Sequence, residues 1–358
     1  MREPSEHLHP RCSLPISAVD SITPALEHTK EQLFRRFSIG QWTRLAFVGL
    51  LAGELGSNGC SRSNFTMPGH PGGPHLPGID PALIAAFITA AIVGGLALGL
   101  ILMYVSSVMR FILFDSVLTR ECHIRMGWNR RMGPGWRFFL FTLVYSILSV
   151  SAIAVIVGIP ALLALGRGWF HAPKEHLPAL ITGGLILGFV LFLFFVVTAV
   201  VFVLTKDFVI PQMALENIGA MEGWRRLLRM MQAEAGAYFV YIIMKIVLAI
   251  VTSIIMAIAT LIVGLMFAVP SLLLGLVAVI SGKRAGLTWN VETITLAIVI
   301  GCILLAIFLY LVSMIYVPAI VFFPAYSIYF FAGRYPRLNM ALYGTASALP
   351  PGGTPAPV

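Results

Sequence analysis

Long apolar runs that no charged side chain interrupts dominate this sequence. The clearest of them, Pro178 to Leu204, would rise about 40 Å as an α-helix, more than the ~30 Å hydrocarbon core of a bilayer. Only helices and closed barrels satisfy their backbone hydrogen bonds in lipid, and a barrel would show short segments of alternating hydrophobicity instead. With 58% hydrophobic and 11% charged residues, the chain is predicted to be an all-α polytopic membrane protein, built as a helical bundle.

The length criterion places about six spans in one helical membrane domain, residues 21–340, flanked by disordered cytoplasmic tails at 1–20 and 341–358. The predicted spans are about 42–56, 82–105, 138–165, 178–204, 237–267 and 293–317. In addition, amphipathic helices are predicted to lie in the plane of the membrane.

Prolines are expected to limit two of these spans. Pro270 should end the fifth span, and Pro318 and Pro324 should break a continuation of the sixth that runs to 331. The short apolar piece 271–280 can then span, re-enter or lie in the interface, and the same three options apply to the short first span.

Basic residues indicate the orientation of the chain. Arginines cluster between Arg110 and Arg137, and again from Arg225 to Arg229. Because cytoplasmic loops carry an excess of Lys and Arg, these loops and both termini are predicted on the cytoplasmic side of the inner (plasma) membrane. The formal net charge of +9 is assigned to topology and anionic lipid, and nucleic acid is excluded as a partner because no basic domain or reading motif is present.

An internal repeat follows from this arrangement. IVGGLALG at 92–99 recurs as ITGGLILG at 181–188, and each copy is followed by an aspartate and then by a tryptophan with arginines. Since both copies enter from the same side, the pattern indicates a parallel repeat of span, in-plane helix and span, with chance similarity as the alternative. The GxxxG pairs Gly95–Gly99 and Gly184–Gly188 permit close packing either within the chain or across a dimer, and we favour packing within the chain.

The stretch from Asp207 to Met231 is predicted to contain an in-plane amphipathic helix, with Gly219 as its N-cap. Its apolar face comprises Met221, Trp224, Leu227, Leu228 and Met231, and its other face carries Arg225, Arg226 and Arg229. Arg130 and Arg131 occupy the matching place in the first copy. These five arginines are candidate contacts for lipid headgroups or a partner, and structural anchoring is the simpler interpretation.

Within this stretch, a short motif resembles a known pattern. Its positions are Pro211, Leu215, Glu216, Gly219, Glu222, Trp224, Arg225 and Arg226. The motif is similar to one in the membrane domain of bacterial glycerophosphodiester phosphodiesterases and in related integral membrane domains of unknown function. LFRRFSIGQWTRLAFVGLLAG and FFPAYSIYFFAGRYP also resemble segments of such domains. The resemblance implies a helical membrane domain that often stands alone. The catalytic barrel of those enzymes is a separate domain with acidic metal ligands, which this chain lacks, so catalysis is not carried over.

Lys245 is the one residue among Asp, Glu, His, Lys and Arg that lies well inside the five clear spans. We favour a lysine that snorkels to the interface over an intramembrane polar site for a substrate or an anion. No nucleophile, base and orienting group can be assembled, so no catalytic, cofactor-binding or metal-binding residue is assigned.

These features favour a non-enzymatic integral membrane protein that organises lipid or a partner at the inner leaflet. The alternative is a transporter or channel for a solute, which the repeat and the proline-containing spans suggest. The expected partners are membrane lipids, together with either another protein or a second copy of the chain.

Overall fold

The computed structural model describes residues 17–35, 38–54, 81–168, 176–284 and 291–343, and within them every regular element is a helix. The helices are α1 (Ile22–Lys30), α2 (Ile39–Leu51), α3 (Pro81–Thr119), α4 (Ile124–Gly166), α5 (Leu177–Leu204), α6 (Ile210–Glu216), α7 (Ala220–Ala233), α8 (Ala235–Arg284), α9 (Val291–Ala332) and α10 (Pro336–Tyr343). Two π-helical turns, Glu31–Arg35 and Thr205–Val209, follow α1 and α5. The predicted all-α bundle is confirmed.

Five helical segments are long and apolar enough to cross a membrane: α3, α4, α5 with its continuation into α6, α8 and α9. The sequence predicts one more span, the first in chain order, at 42–56, where the structure has α2. This helix has 13 residues and rises only about 20 Å. It ends in a turn at Gly53, whose φ of 79° suits a residue without a side chain. Positions 55 and 56 lie outside the described residues, so the described part of the chain supplies five candidate spans.

The predicted tails fall mostly outside the described residues, since 1–16 and 344–358 are not among them. Of the remainder, residues 18–20 form a turn in which the Ser17 hydroxyl donates to the Asp20 carboxylate at 2.7 Å. At the other end, α10 includes 341–343. The described residues therefore extend a few positions beyond the predicted limits of the membrane domain at both ends.

Prolines do not end the long helices where the sequence analysis expects. α8 continues through Pro270 to Arg284, and α9 continues through Pro318 and Pro324 to Ala332. A proline removes one backbone donor and bends a helix, but the hydrogen bonds on either side persist. In lipid, a carbonyl released by a full break would find no water, which favours a continuous helix.

The buried core lies at one end of the bundle, where the ends of the long helices meet α1, α2, α6, α7 and α10. Phe208, in the turn after α5, is at its centre. Its ring lies between 5.0 and 5.9 Å, centroid to centroid, from the rings of Tyr238, Tyr241, Phe330 and Phe331. All of these rings are buried. Aromatic packing of this kind therefore joins the start of α8 to the end of α9.

The remaining lengths of the five long helices are apolar and exposed. In each of them, at most 6% of an 18-residue apolar stretch is buried within the protein. An uncovered apolar surface of that extent is rare in water, whereas lipid tails are as apolar as leucine and cover it readily. The pattern is that of helices surrounded by lipid.

The GxxxG pairs lie on these exposed lengths. At Gly95, Gly99, Gly184 and Gly188, an added Cβ would meet no atom within 4 Å. The expectation that these glycines pack within the chain is therefore wrong for the described residues. A GxxxG pair permits another helix to approach closely, but the pair does not determine where the neighbouring helices lie.

The two copies of the predicted repeat differ in structure. In the second copy a separate helix, α7, lies between a left-handed Asn217 with φ 54° and a non-helical Glu234. In the first copy α3 runs on to Thr119 and α4 starts at Ile124, with one corner at Arg120 (φ 62°). The in-plane helix expected around Arg130 and Arg131 is instead the first part of α4. The repeat itself stays a prediction.

Candidate functional site

Five charged residues, Glu54, Arg110, Lys206, Asp207 and Lys245, gather in the core, and we call them the charge network. The Lys245 ammonium bonds the Asp207 carboxylate, and the Lys206 ammonium bonds that of Glu54. The Asp207 side chain is 2% exposed and that of Glu54 is 6% exposed. An isolated ion at such a site would cost several kcal/mol, so each pair depends on both of its partners.

Neutral groups complete the network. The Tyr241 hydroxyl donates to Asp207 at 2.9 Å. The Arg110 Nε donates to the Ala52 carbonyl at 3.0 Å, and its guanidinium lies 4.7 Å from the centre of the Phe202 ring. The network thus ties the end of α2 to α3, to the turn after α5 and to α8.

A cavity of about 30 Å³ borders the network. Besides four of the charged residues, its lining includes Pro324 and Ser327 of α9. One or two water molecules would fit in that volume, and polar partners for them are at hand. The arrangement can hold water or exchange a proton locally, but the cavity has no room for a larger solute.

Lys245 differs from the sequence-based interpretation. Snorkelling would carry its ammonium to the membrane surface, yet the side chain is 13% exposed and ends on Asp207. The buried carboxylate attracts the ammonium more strongly than the interface does, because the attraction between opposite charges grows as the local dielectric falls. Lys245 is therefore half of a buried ion pair in the core.

Glu216, a position of the short motif in the sequence, joins three elements. It accepts hydrogen bonds from Arg226 of α7 at 2.6 Å and from the Tyr335 hydroxyl at 2.5 Å, and Arg337 of α10 approaches to 3.3 Å. The bond to Glu216 raises the pKa of Arg226, and burial, followed by the same carboxylate, raises the pKa of Tyr335. Arg226 also bonds Glu222, so its guanidinium is occupied within the chain.

The other motif residues fit α7 against the core. Pro211 is buried near the start of α6, and Gly219 is the N-cap of α7. The Trp224 Nε1 donates to the Thr205 hydroxyl at 3.1 Å. At Gly223 an added Cβ would come within 2.8 Å of a Val209 methyl group, so this contact requires glycine. In this structure the motif residues therefore serve to pack α7 against the core.

Arg131 is also placed differently from the prediction. It was a candidate for lipid headgroups, but it is 7% exposed. Its Nε and Nη2 donate to the two Asp115 oxygens at 2.6 Å each, and Nη1 donates to the Ala214 carbonyl at 2.6 Å. This bidentate pair occupies the guanidinium. Arg130 lies on the exposed side of α4 and keeps its place as a candidate.

The predicted apolar face of α7 divides in the structure. Leu227 is buried, and Trp224 and Met231 pack partly against the core. Met221 and Leu228 remain 73% and 49% exposed.

The exposed side of α7 also carries Arg225 and Arg229. Arg225 makes a 3.4 Å contact with Glu222 of the same helix, and Arg229 makes no ion pair among the described residues. We call Met221, Arg225, Leu228 and Arg229 the α7 surface.

The charge network is not among the sequence-based predictions, although a signal for it exists. Asp207 comes three residues after the end of an uncharged apolar run at Leu204, and Lys245 lies inside the next span. Opposite charges at the ends of successive apolar helices are candidates for a buried pair. No comparable signal marks Glu54, since it is 152 residues from Lys206 in the chain.

The fold and these contacts define an all-α bundle with five helices able to cross a membrane, closed at one end by a core of aromatic rings and paired charges. The chain belongs to the family of unknown function DUF7544, whose model matches residues 16–341. No curated protein and no solved structure matches the chain. Nothing in these comparisons links it to glycerophosphodiester phosphodiesterases.

Proposed function

We propose that this protein is a non-enzymatic, multi-pass protein of the inner membrane that organises anionic lipid at the inner leaflet. Both termini are placed in the cytoplasm, which requires a sixth crossing, predicted at 42–56, in addition to the five candidate spans of the described residues. The α7 surface carries the proposal. Two exposed apolar side chains, Met221 and Leu228, stand beside Arg225 and Arg229 on one side of a helix whose other side is packed. Such a surface suits the boundary between acyl chains and phosphate groups.

The test compares two double variants that each remove two positive charges. Arg225→Gln/Arg229→Gln alters the α7 surface, and Lys30→Gln/Arg284→Gln removes charges from exposed positions elsewhere. Native mass spectrometry from mild detergent counts the anionic phospholipids that stay bound. We expect fewer with the α7 variant and no change with the control. Equal retention by both variants and the unaltered protein would remove the α7 surface as a lipid site.

The alternative function is transport, and the charge network with its cavity favours it. Paired ionisable groups within apolar helices commonly mark proton or ion pathways. The purified protein in liposomes that contain a pH-sensitive dye tests this. Transport coupled to protons predicts dissipation of an imposed pH gradient, slowed by Asp207→Asn. Liposomes that hold the gradient as well as protein-free liposomes would count against this alternative.

A further inference from the structure

An open pocket of about 670 Å³ lies where the turn after α1 and the start of α2 meet the corner between α3 and α4. Its lining includes three arginines, Arg35, Arg44 and Arg120, and two glutamates, Glu31 and Glu121. None of these residues belongs to the charge network or to the α7 surface.

The charges in this pocket are unequally paired. Arg120 bonds Glu31 at 2.5 Å, and Glu121 lies 3.4 Å from His123. Arg35 and Arg44 are exposed and have no ion pair among the described residues. Arg120 is engaged by Glu31, whereas the guanidinium groups of Arg35 and Arg44 face solvent in a concave site. Arginine in such a setting favours a phosphate group, which it can bind through two parallel hydrogen bonds.

An apolar groove of about 440 Å³ lies on the neighbouring side of α2, between α2 and α9. Phe47 and Leu50, each about half exposed, form one wall, and Leu309 and Tyr316 belong to the other. On a helix, positions three apart are neighbours, so Phe47 of the groove lies beside Arg44 of the pocket. A molecule with an anionic end and an apolar end could therefore contact both.

We propose that α2 carries a binding site for one phospholipid with an anionic headgroup. The phosphate bonds Arg35 and Arg44, and an acyl chain lies in the groove along Phe47 and Leu50. The positive charge of the two arginines explains why the headgroup should be anionic. The apolar groove explains why the ligand should be a lipid rather than a free phosphate ester. A lipid held only by the general apolar surface would show no preference for headgroup charge.

The experiment measures lipid binding to the full chain in detergent by native mass spectrometry. Phosphatidylglycerol and phosphatidylcholine of equal chain length are titrated separately. We expect one phosphatidylglycerol to bind more tightly than phosphatidylcholine. Arg35→Gln/Arg44→Gln should weaken it by about tenfold or more, since each lost charge-assisted hydrogen bond to phosphate is worth about that much. Lys30→Gln/Arg284→Gln is the matched control.

Two further arms identify the source of the phosphate and protect against misfolding. Phe47→Ala/Leu50→Ala, at exposed positions, should weaken the binding of phosphatidylglycerol. Glycerol 3-phosphate, which has no acyl chain, should bind weakly to this variant and to the unaltered protein alike. Thermal unfolding of each variant is compared with that of the unaltered protein, and a variant that unfolds early is replaced by the single substitution Arg44→Gln. Binding of glycerol 3-phosphate as tight as that of the lipid, or tight phosphatidylglycerol binding in Arg44→Gln, would overturn the proposal.

The site shares no residue with the α7 surface, so the two proposals can fail separately. Arg225→Gln/Arg229→Gln should keep the single tightly bound phosphatidylglycerol. If that variant loses it while Arg35→Gln/Arg44→Gln keeps it, the tight site is on α7 and not on α2.

Discussion

Asp207 is a buried carboxylate with two donors, the Lys245 ammonium and the Tyr241 hydroxyl. Removing water from a charge costs free energy, and only a well-placed partner of opposite charge offsets that cost. Within the core, each member of the pair is therefore tolerable because the other is present. This dependence can be measured as a coupling between the two residues.

Lys245→Met should lower the free energy of unfolding by about 3–5 kcal/mol, since it leaves Asp207 charged and buried without its partner. The double variant Asp207→Asn/Lys245→Met removes both charges and should recover most of the loss. Unfolding in detergent, followed by tryptophan fluorescence, gives both values. Lys30→Met, at an exposed position, controls for the loss of a lysine. A double variant no more stable than Lys245→Met would show that the pair is not coupled.

His28 is a buried residue whose ring tautomer follows from its two contacts. Its Nε2 lies 2.9 Å from the Val117 carbonyl, which can only accept, so Nε2 carries the proton. Nδ1 lies 3.2 Å from the Tyr329 hydroxyl and accepts from it. A second proton on the ring would displace this bond. Burial, with a further contribution from Arg120, lowers the pKa of His28 below its ordinary value of 6.5.

The resulting pH dependence has a definite sign. The unfolded chain takes up a proton near pH 6.5 and folded His28 does so only at lower pH. Stability is therefore full above that value and falls as the pH drops below it. We expect the Tm to decrease from pH 7.5 to pH 5 more steeply in the unaltered protein than in His28→Gln. Thermal unfolding at a series of pH values measures this, with the exposed His123→Gln as control. Parallel curves for His28→Gln and the unaltered protein would contradict the assignment.

Among the elements, α6, α7 and α10 are held together by one carboxylate. Glu216 ends α6 and binds Arg226 of α7 and Tyr335 and Arg337 near the start of α10. Glu222 offers a contrast, because its bonds go to Arg225 and Arg226 of its own helix. The first carboxylate joins elements distant in sequence, whereas the second stabilises one helix locally.

Glu216→Gln should therefore be more destabilising than Glu222→Gln. We expect a loss of about 1 kcal/mol or more for Glu216→Gln, because bonds to a charged acceptor are lost at three donors. For Glu222→Gln the loss should stay within about 0.5 kcal/mol, as is typical of exposed pairs within one helix. Chemical unfolding in detergent compares the two. Equal losses would mean that the junction of α6, α7 and α10 contributes little to stability.

For the whole molecule, five candidate spans and a core at one end imply that alternate connections lie on opposite sides of a membrane. Arg130 and Arg225 are exposed near the core end, whereas residue 176 precedes α5 at the far end. The chain reverses direction between α4 and α5 and again between α5 and α8. Positions 130 and 225 should therefore share one side.

Labelling of single cysteines tests this topology. In a chain whose Cys12, Cys60, Cys122 and Cys302 are replaced by serine, Arg130→Cys, Arg225→Cys and His176→Cys are introduced one at a time. A thiol reagent that cannot cross membranes should label the first two in inside-out vesicles and the third in right-side-out vesicles. Labelling of His176→Cys and Arg225→Cys from the same side would refute this arrangement of the spans.

Apolar runs alone determined much of this molecule. A helix in lipid must be long, uncharged and internally hydrogen-bonded, so the class and the five long helices could be predicted from local sequence. The amphipathic pattern likewise located α7, because the period of 3.6 residues is a local property. Helix ends at prolines were predicted wrongly, since the surroundings decide whether a helix bends or stops.

The tertiary structure decided which partner each charged residue has. Lys245 meets Asp207 across 38 residues of sequence, and Lys206 meets Glu54 across 152. Arg131 and Arg226 are taken up by Asp115 and Glu216, while Arg225 and Arg229 stay exposed, although all four lie in similar basic clusters. Charge and hydropathy indicate that a buried ionised side chain requires a partner of opposite charge. Which residue is that partner depends on how helices distant in sequence pack together.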